Sequence, residues 1–183
     1  LSLLNAFTDQ KFLDENGFTK QNVLSMFVPN SYEFFWNTSA VKFRNKMLKE
    51  YNKFWTDERL EKAKKLNLTP IQVSILASIV HKETVKKDER PKVAGVYLNR
   101  LVKGMKLEAD PTVIYAVKLQ SNDFNQVIKR VLNKDLATVS PYNTYMYEGL
   151  PPGPIAMPDI TALDAVLNPE QHNYIYFCAR VTR

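Results

Sequence analysis

The 183-residue sequence predicts a mostly helical α+β domain with a few short strands. Three observations lead to this prediction: apolar residues recur at helical spacing, cap-and-proline signals mark several helix starts, and one aromatic segment near the C-terminus has the composition of a strand. The hydrophobic content of 45% is ordinary for a globular protein, and a chain of this length can bury a core without disulfides or metals.

The first third of the chain is predicted to contain a polar tail, an aromatic segment and one long helix. Residues 1–26 are polar and mixed, and we interpret them as a linker or the tail of a preceding domain. The segment Phe27–Trp36 is rich in aromatic residues and contains a proline, which predicts a loop or a strand. Ser39 is suited to cap a helix over 40–65, whose apolar residues follow helical spacing.

The clearest helix start lies in the middle of the chain. Thr69 is a good N-cap, Pro70 fits the first helical position, and Gln72 completes a capping-box pattern. These signals predict a helix that runs to about residue 86.

Further elements are predicted from similar signals towards the C-terminus. Helices are expected over 91–103, 112–119 and 123–133, and a short one should begin at Asp159 or Thr161. Proline and glycine residues make 142–158 a turn-rich loop. The aromatic and β-branched residues of 174–181 predict a strand in which Cys178 is a small buried residue.

Charge and composition exclude several classes of function. The formal net charge is +6, but the lysines lie in helical segments that also contain acids, and no arginine-rich patch alternates with aromatic residues. Nucleic acid is therefore not an expected partner. A single cysteine excludes an internal disulfide or a cysteine-cluster metal site, and no phosphate-binding glycine motif is present, so we expect no metal and no cofactor.

Glu83 is the residue with the most informative position. It follows Ile71, Ile75 and Ile79 at four-residue steps, which places its carboxyl group on an apolar helical stripe. A carboxyl group in such a site resists ionisation and can donate a proton to a glycosidic oxygen. The spacing also fits a solvated helix end that pairs with Lys82, so the residues alone leave both interpretations open.

Two other groups of residues suit carbohydrate chemistry. Glu108 and Asp110 are candidates for a second acid, although an exposed loop and a helix cap would also explain them. Tyr142, Asn143 and Tyr145 lie beside the proline-rich loop, and aromatic faces with amide groups suit sugar rings and N-acetyl groups. A structural turn that carries tyrosines is the alternative.

Five motifs follow one another between residues 76 and 155. They are LASIVHKET at 76–84, ERPKVAGVYLNRL at 89–101, GMKLEADPTVIY at 104–115, SPYNTY at 140–145 and GLPPGPI at 149–155. In this order and spacing they closely resemble the MltG/YceG-like family of endolytic transglycosylases, and FVPNSYE at 27–33 resembles that family's upstream motif.

The resemblance implies an enzyme that cuts peptidoglycan strands internally between N-acetylmuramic acid and N-acetylglucosamine. The product would end in a 1,6-anhydro sugar, and the cut would terminate the growth of nascent strands. A lysozyme-like catalytic helix would carry Glu83 as the single acid/base. Many relatives have an acid where this chain has His81, so His81 is not expected to be the general catalyst. Substrate binding is predicted for Tyr142, Asn143, Tyr145, Glu108, Asp110 and Thr112.

The resemblance also implies a larger protein around this chain. Residues 27–183 correspond to the catalytic domain without a further C-terminal segment, and 1–26 would be the remnant of a LysM-like domain. The implied location is the inner (cytoplasmic) membrane, with one N-terminal helix as anchor and the catalytic domain on the periplasmic or outer side. The implied partners are peptidoglycan strands and the penicillin-binding proteins that synthesise them.

Two other functions stay open. A lysozyme-like muramidase would need a second carboxylate near the scissile bond, which Glu108 or Asp110 would provide. A peptidoglycan-binding module would cut nothing.

Overall fold

The computed structural model describes residues 2–178, and the regular secondary structure of this range is helical throughout. The elements in chain order are α1 (Leu3–Phe7), α2 (Gln10–Asn16), a 3₁₀ helix (Val23–Met26), α3 (Ala40–Phe54), α4 (Asp57–Lys65), α5 (Pro70–Glu83), α6 (Arg90–Val102), α7 (Asp110–Ser121), α8 (Asn133–Leu136) and α9 (Ile160–Leu167).

Helix α5 is the centre of the fold. Its predicted start is confirmed, because the Thr69 hydroxyl accepts from the Gln72 amide at 3.2 Å and the Gln72 side chain accepts from the Thr69 amide at 2.8 Å. All residues from Val73 to Val80 are buried, as expected of a helix that is covered on every side. Helices α6, α7 and α9 pack against it. The helix ends at Glu83, slightly before the predicted end, where Thr84 turns to extended backbone.

The helices around α5 confirm the proline signals and the cap at Asp159, but the predicted capping role of Asp110 is wrong, because Asp110 is the first residue of α7 and its side chain makes no cap bond. Helices α6 and α7 both begin with a proline in the first turn. Helix α9 begins after Asp159, whose carboxylate accepts the Ala162 amide at 2.9 Å.

The predicted α+β class is wrong, because no strand occurs within residues 2–178. The expected strand at 174–181 lies partly outside the described residues, and its described part has no regular structure. Side chains of α6 donate hydrogen bonds to the backbone carbonyls of this segment: Asn99 donates to the Tyr174 carbonyl at 2.9 Å, and Arg100 donates to the Ile175 carbonyl at 2.6 Å. The segment therefore lies on a helix instead of pairing with a strand. Cys178 is exposed, contrary to the prediction.

Two helix predictions were also wrong in their extent. The helix expected over 40–65 is broken at Trp55, and Thr56 caps the second piece through the Arg59 amide at 3.4 Å. The helix expected over 123–133 is absent apart from the beginning of α8. There Asn122 adopts a left-handed conformation that ends α7, and Asp123 accepts the Asn125 amide at 3.0 Å. Such local side-chain bonds compete with helix formation.

The N-terminal residues pack on the rest of the chain. Aromatic and aliphatic side chains of 7–26 form a hydrophobic cluster with Met47 of α3. The backbone of Gln21 approaches Gly153 so closely that a side chain at 153 would collide with it. The assignment of 1–26 to a LysM-like domain stays a prediction. Across residues 2–178, none of the helices combines the length and the apolar character needed to cross a bilayer.

Candidate active site

A cleft of about 210 Å³ opens where the end of α5 faces the start of α7. Helix α6 and the loop around residue 145 complete its walls. The lining side chains are Glu83, Tyr97, Arg100, Leu107, Glu108, Asp110, Tyr145 and Phe177.

Glu83 is the half-buried acid of this cleft. Burial raises the pKa of its carboxyl group, a hydrogen bond from Tyr97 opposes this rise, and the negative charge of Asp110 adds to it. The net pKa is raised, so Glu83 holds a proton at a higher pH than an ordinary glutamate does. The burial follows from the predicted stripe, since Ile75 and Ile79 are both in the core.

Tyr97 fixes one oxygen of the Glu83 carboxyl group. Its hydroxyl donates to Glu83 Oε2 at 3.0 Å, and only 2% of the tyrosine is exposed. Burial and the neighbouring Glu83 keep the pKa of Tyr97 well above its usual value, so the phenol stays a donor. The Phe177 ring packs edge-on against Tyr97, with ring centroids 5.7 Å apart. Helical spacing alone gave no signal for this hydrogen bond.

Two exposed carboxylates share the cleft with Glu83, and each has a partner. Asp110 begins α7 and accepts the Tyr145 hydroxyl at 2.7 Å. Glu108 lies 3.4 Å from Arg100 Nη1, and its left-handed backbone has a φ of 49°. Arg100 is itself buried and also donates to the Leu107 carbonyl at 2.8 Å. Neither Arg100 nor Phe177 was predicted as a site residue: Arg100 lies within the motif at 89–101 but its spacing does not distinguish it from a surface arginine, and Phe177 lies outside the motifs.

A buried polar network supports the two loops that carry these side chains. Asn143 is fully buried and donates to the carbonyls of Leu136 at 2.9 Å and Thr138 at 2.8 Å. Its amide oxygen accepts the Tyr145 backbone N–H at 3.0 Å.

The Thr112 and Thr144 hydroxyls continue this network and lie 2.8 Å apart. Thr144 also accepts the Ala109 amide at 3.0 Å, and its carbonyl accepts the Glu108 amide at 3.1 Å. The network therefore ties the loop that bears Tyr145 to the loop that bears Glu108.

The predicted substrate-binding residues thus fall into two groups. Tyr145, Glu108 and Asp110 lie in the cleft with Glu83. Asn143 and Thr112 are fully buried and Tyr142 is 5% exposed, so the structure does not bring these three side chains into the cleft. Tyr142 packs against Tyr115 instead, with ring centroids 4.7 Å apart.

His81 lies outside the cleft, in a cluster with Arg90 and Asp159. Its Nδ1 is 3.5 Å from Asp159 and 3.4 Å from Arg90 Nη2. Arg90 is buried and contacts the Asp159 carboxylate at 2.6 Å. Burial lowers the pKa of His81 even though Asp159 opposes this shift. Within the described part of the chain, no three acidic, histidine or cysteine side chains are grouped to hold a metal ion.

The sequence model of the YceG-like family matches residues 2–183. This chain belongs to the YceG-like family. It is similar to a Bacillus subtilis (strain 168) protein named endolytic murein transglycosylase, with 38% identity over 144 residues, which is 79% of this chain and 38% of that protein. A protein of the same name from Streptococcus pneumoniae (strain D39) is 33% identical over 119 residues, which is 65% of this chain and 21% of that protein.

A solved structure of a YceG-like protein shares this fold. The crystal structure of a yceG-like protein from Listeria monocytogenes has a TM-score of 0.76 at 28% identity, covering 97% of this chain and 60% of that one. The chain therefore spans 60% or less of each of these proteins.

Proposed function

We propose that this chain carries the catalytic centre of an endolytic murein transglycosylase, with Glu83 as its acid and base. The proposal rests chiefly on one observation: Glu83 is a half-buried carboxyl group with a raised pKa in an open cleft. The names of the Bacillus and Streptococcus relatives support glycan strands of peptidoglycan as the substrate.

In the first step, protonated Glu83 donates its proton to the oxygen that bridges the two sugars. The bond between this oxygen and the anomeric carbon of N-acetylmuramic acid breaks, and the N-acetylglucosamine leaves with a free hydroxyl. The carbonyl oxygen of the neighbouring N-acetyl group stabilises the positive anomeric carbon, as in substrate-assisted glycosidases. Within residues 2–178, Glu83 Oε1 accepts no hydrogen bond, whereas Oε2 is held by Tyr97, so Oε1 is the oxygen available for proton transfer.

In the second step, the Glu83 carboxylate removes the proton from the C6 hydroxyl of the same muramic acid. The C6 oxygen then bonds to the anomeric carbon and closes the 1,6-anhydro ring, which restores protonated Glu83. An attacking group within the same molecule has a high effective concentration, so no second carboxylate is needed to activate water.

The first test is Glu83→Gln, which keeps the shape of the side chain and removes the transferable proton. A general acid/base contributes on the order of 10²–10⁴-fold, and we expect at least this loss of glycan cleavage with little change in Tm. Glu61→Gln is the matched control, because Glu61 is an exposed glutamate on α4. Release of muropeptides from purified peptidoglycan at the wild-type rate by Glu83→Gln would remove Glu83 from the mechanism.

The muramidase alternative has one specific observation in its favour. Asp110 is close enough for its charge to raise the pKa of Glu83, so a second carboxylate is available beside the acid. Digestion in ¹⁸O-labelled water separates the two reactions by product mass. We expect unlabelled anhydro ends, whereas labelled reducing ends would show hydrolysis and assign the role of base to Asp110 or Glu108.

The setting of the whole protein is also a proposal. The family resemblance implies a single-pass anchor in the inner membrane, a catalytic domain on the periplasmic or outer side, and peptidoglycan synthases as partners. Fractionation and cross-linking of the full-length protein test these points independently of Glu83.

A further inference from the structure

We propose that a second cavity beside the cleft binds the acidic peptide stem carried by the muramic acid of the substrate. This inference rests on the proposed function, because only a peptidoglycan strand presents such a stem next to the bond that is cut.

The cavity adjoins the cleft through two pairs of neighbouring residues. It has a volume of about 310 Å³ and includes Lys82, which precedes Glu83, and Pro111, which follows Asp110. Neighbouring Cα atoms are about 3.8 Å apart, so the end of α5 and the start of α7 each face both spaces. A group attached to a sugar in the cleft would therefore lie beside the elements that also line the cavity.

The two spaces differ in charge. Three carboxyl groups line the cleft, whereas the cavity is lined by two lysines, Lys82 and Lys118, and by no acidic side chain. The lysine ion pairs within residues 2–178 involve other lysines, so both ammonium groups are available to a ligand. Lys118 donates only a long bond of 3.4 Å to the Phe124 carbonyl.

The remaining walls of the cavity are apolar. They come from Ile114 and Tyr115 of α7, from Phe124 after that helix, and from Ile155 and Ala156 in the loop before α9. The Tyr115 and Phe124 rings pack against each other with centroids 5.7 Å apart. The site therefore combines cations with walls suited to small aliphatic groups.

A muramoyl peptide stem has the complementary chemistry. The muramic acid bears a lactyl group, and the stem that follows begins with alanine and glutamate and carries free carboxylates. The methyl groups match the apolar wall and the carboxylates match the two lysines, while the volume is at the lower end of those that bind small ligands. Glu83 would then cut preferentially beside muramic acids that bear a stem.

The test compares two substrates: peptidoglycan strands with their stems, and the same strands after an amidase has removed the stems. We expect the wild-type chain to have a higher kcat/KM on stem-bearing strands. Lys118→Glu should lower this kcat/KM about fivefold, because a partly exposed ion pair contributes about 1 kcal/mol. The same variant should change kcat/KM on stem-free strands by less than about twofold. Lys53→Glu on α3, an exposed lysine far along the chain from the cavity, is the matched charge control.

A second variant tests the space itself. Ala156→Phe narrows the cavity without changing its charge, and it should also reduce the preference for stem-bearing strands. Equal kcat/KM of the wild-type chain on both substrates, or an equal loss on both in Lys118→Glu, would overturn the proposal.

Failure of the proposed function gives a different result, because the wild-type chain would then cut neither substrate. In that case calorimetry with N-acetylmuramoyl-L-alanyl-D-glutamate decides about the cavity. Saturable binding that Lys118→Glu weakens supports the stem site, and no binding to the wild-type chain overturns it.

Discussion

Replacement of Asn143 by alanine should reduce the stability of the fold much more than it changes the chemistry at Glu83. Asn143 is fully buried, and its side chain makes three hydrogen bonds, to the Leu136 and Thr138 carbonyls and to the Tyr145 amide. Alanine leaves all three backbone groups without this partner, the Thr138 carbonyl in a buried position and the other two in half-buried ones, and also opens a small cavity.

The expected magnitude follows from the number of groups left unpaired. Each buried polar group that loses its partner costs about 1–3 kcal/mol, and neighbouring losses are not additive, so the free energy of unfolding should fall by about 3 kcal/mol. For a domain of this size each kcal/mol corresponds to roughly 2–4 °C, so Tm should fall by about 10 °C.

Thermal unfolding and turnover per folded molecule, measured on the same preparation, check this expectation. Tyr145→Phe is the matched control, because it removes an exposed hydroxyl that contacts Asp110 at 2.7 Å and should lower turnover with a small change in Tm. An Asn143→Ala protein with the wild-type Tm and much lower turnover would refute the structural role and return Asn143 to the substrate groove.

Two further predictions concern pH. Tyr97→Phe removes the hydrogen bond that lowers the pKa of Glu83, so this pKa should rise further and the acid should stay protonated to higher pH. The alkaline limb of the kcat/KM profile should therefore shift to higher pH. An unchanged alkaline limb would contradict this role of Tyr97. Although burial opposes it, hydrogen bonds from Arg90 and Thr161 lower the pKa of Asp159, so its carboxylate stabilises the fold above the unfolded value of about 3.9 and loses this effect as pH falls. The free energy of unfolding in urea should be higher for the wild type than for Asp159→Asn at pH 6, and this difference should become smaller at pH 3. A difference that stays constant between these pH values would exclude this effect of Asp159.

The start and the burial of α5 could be predicted because both depend on local sequence. A capping box involves residues three positions apart, and an apolar stripe repeats every turn, so Thr69, Gln72 and the isoleucines before Glu83 carry their information in their spacing. The poorly solvated site of Glu83 follows from the same pattern, whereas the end of the helix at Glu83 was not predicted.

The strand could not be predicted correctly because its partners lie far away in the sequence, whereas the role of Asn143 could not be decided although its partners are only two to seven positions away. The residues at 174–178 have strand composition, but their backbone bonds go to side chains of α6 about 75 positions earlier. An asparagine amide bonds backbone carbonyls as readily as an N-acetyl group, and only the complete burial of Asn143 distinguishes the two. The hydrogen bond between Tyr97 and Glu83 likewise joins two helices.

The cleft contains three carboxyl groups, yet the structure makes them unequal. Glu83 is half-buried, and this burial favours the protonated form of the acid although the hydrogen bond from the Tyr97 phenol opposes it. Glu108 and Asp110 are exposed, and their partners are a guanidinium and a second phenol, so water reaches both of them. One proton donor beside two solvated acceptors suits a reaction in which Glu83 transfers the proton and the other two carboxylates hold sugar hydroxyls. Since Asp110 also raises the pKa of Glu83, the pH dependence of cleavage should shift in an Asp110→Asn protein, while the product should stay the same. A change from anhydro to hydrated ends, or the reverse, would show that Asp110 controls the attacking nucleophile.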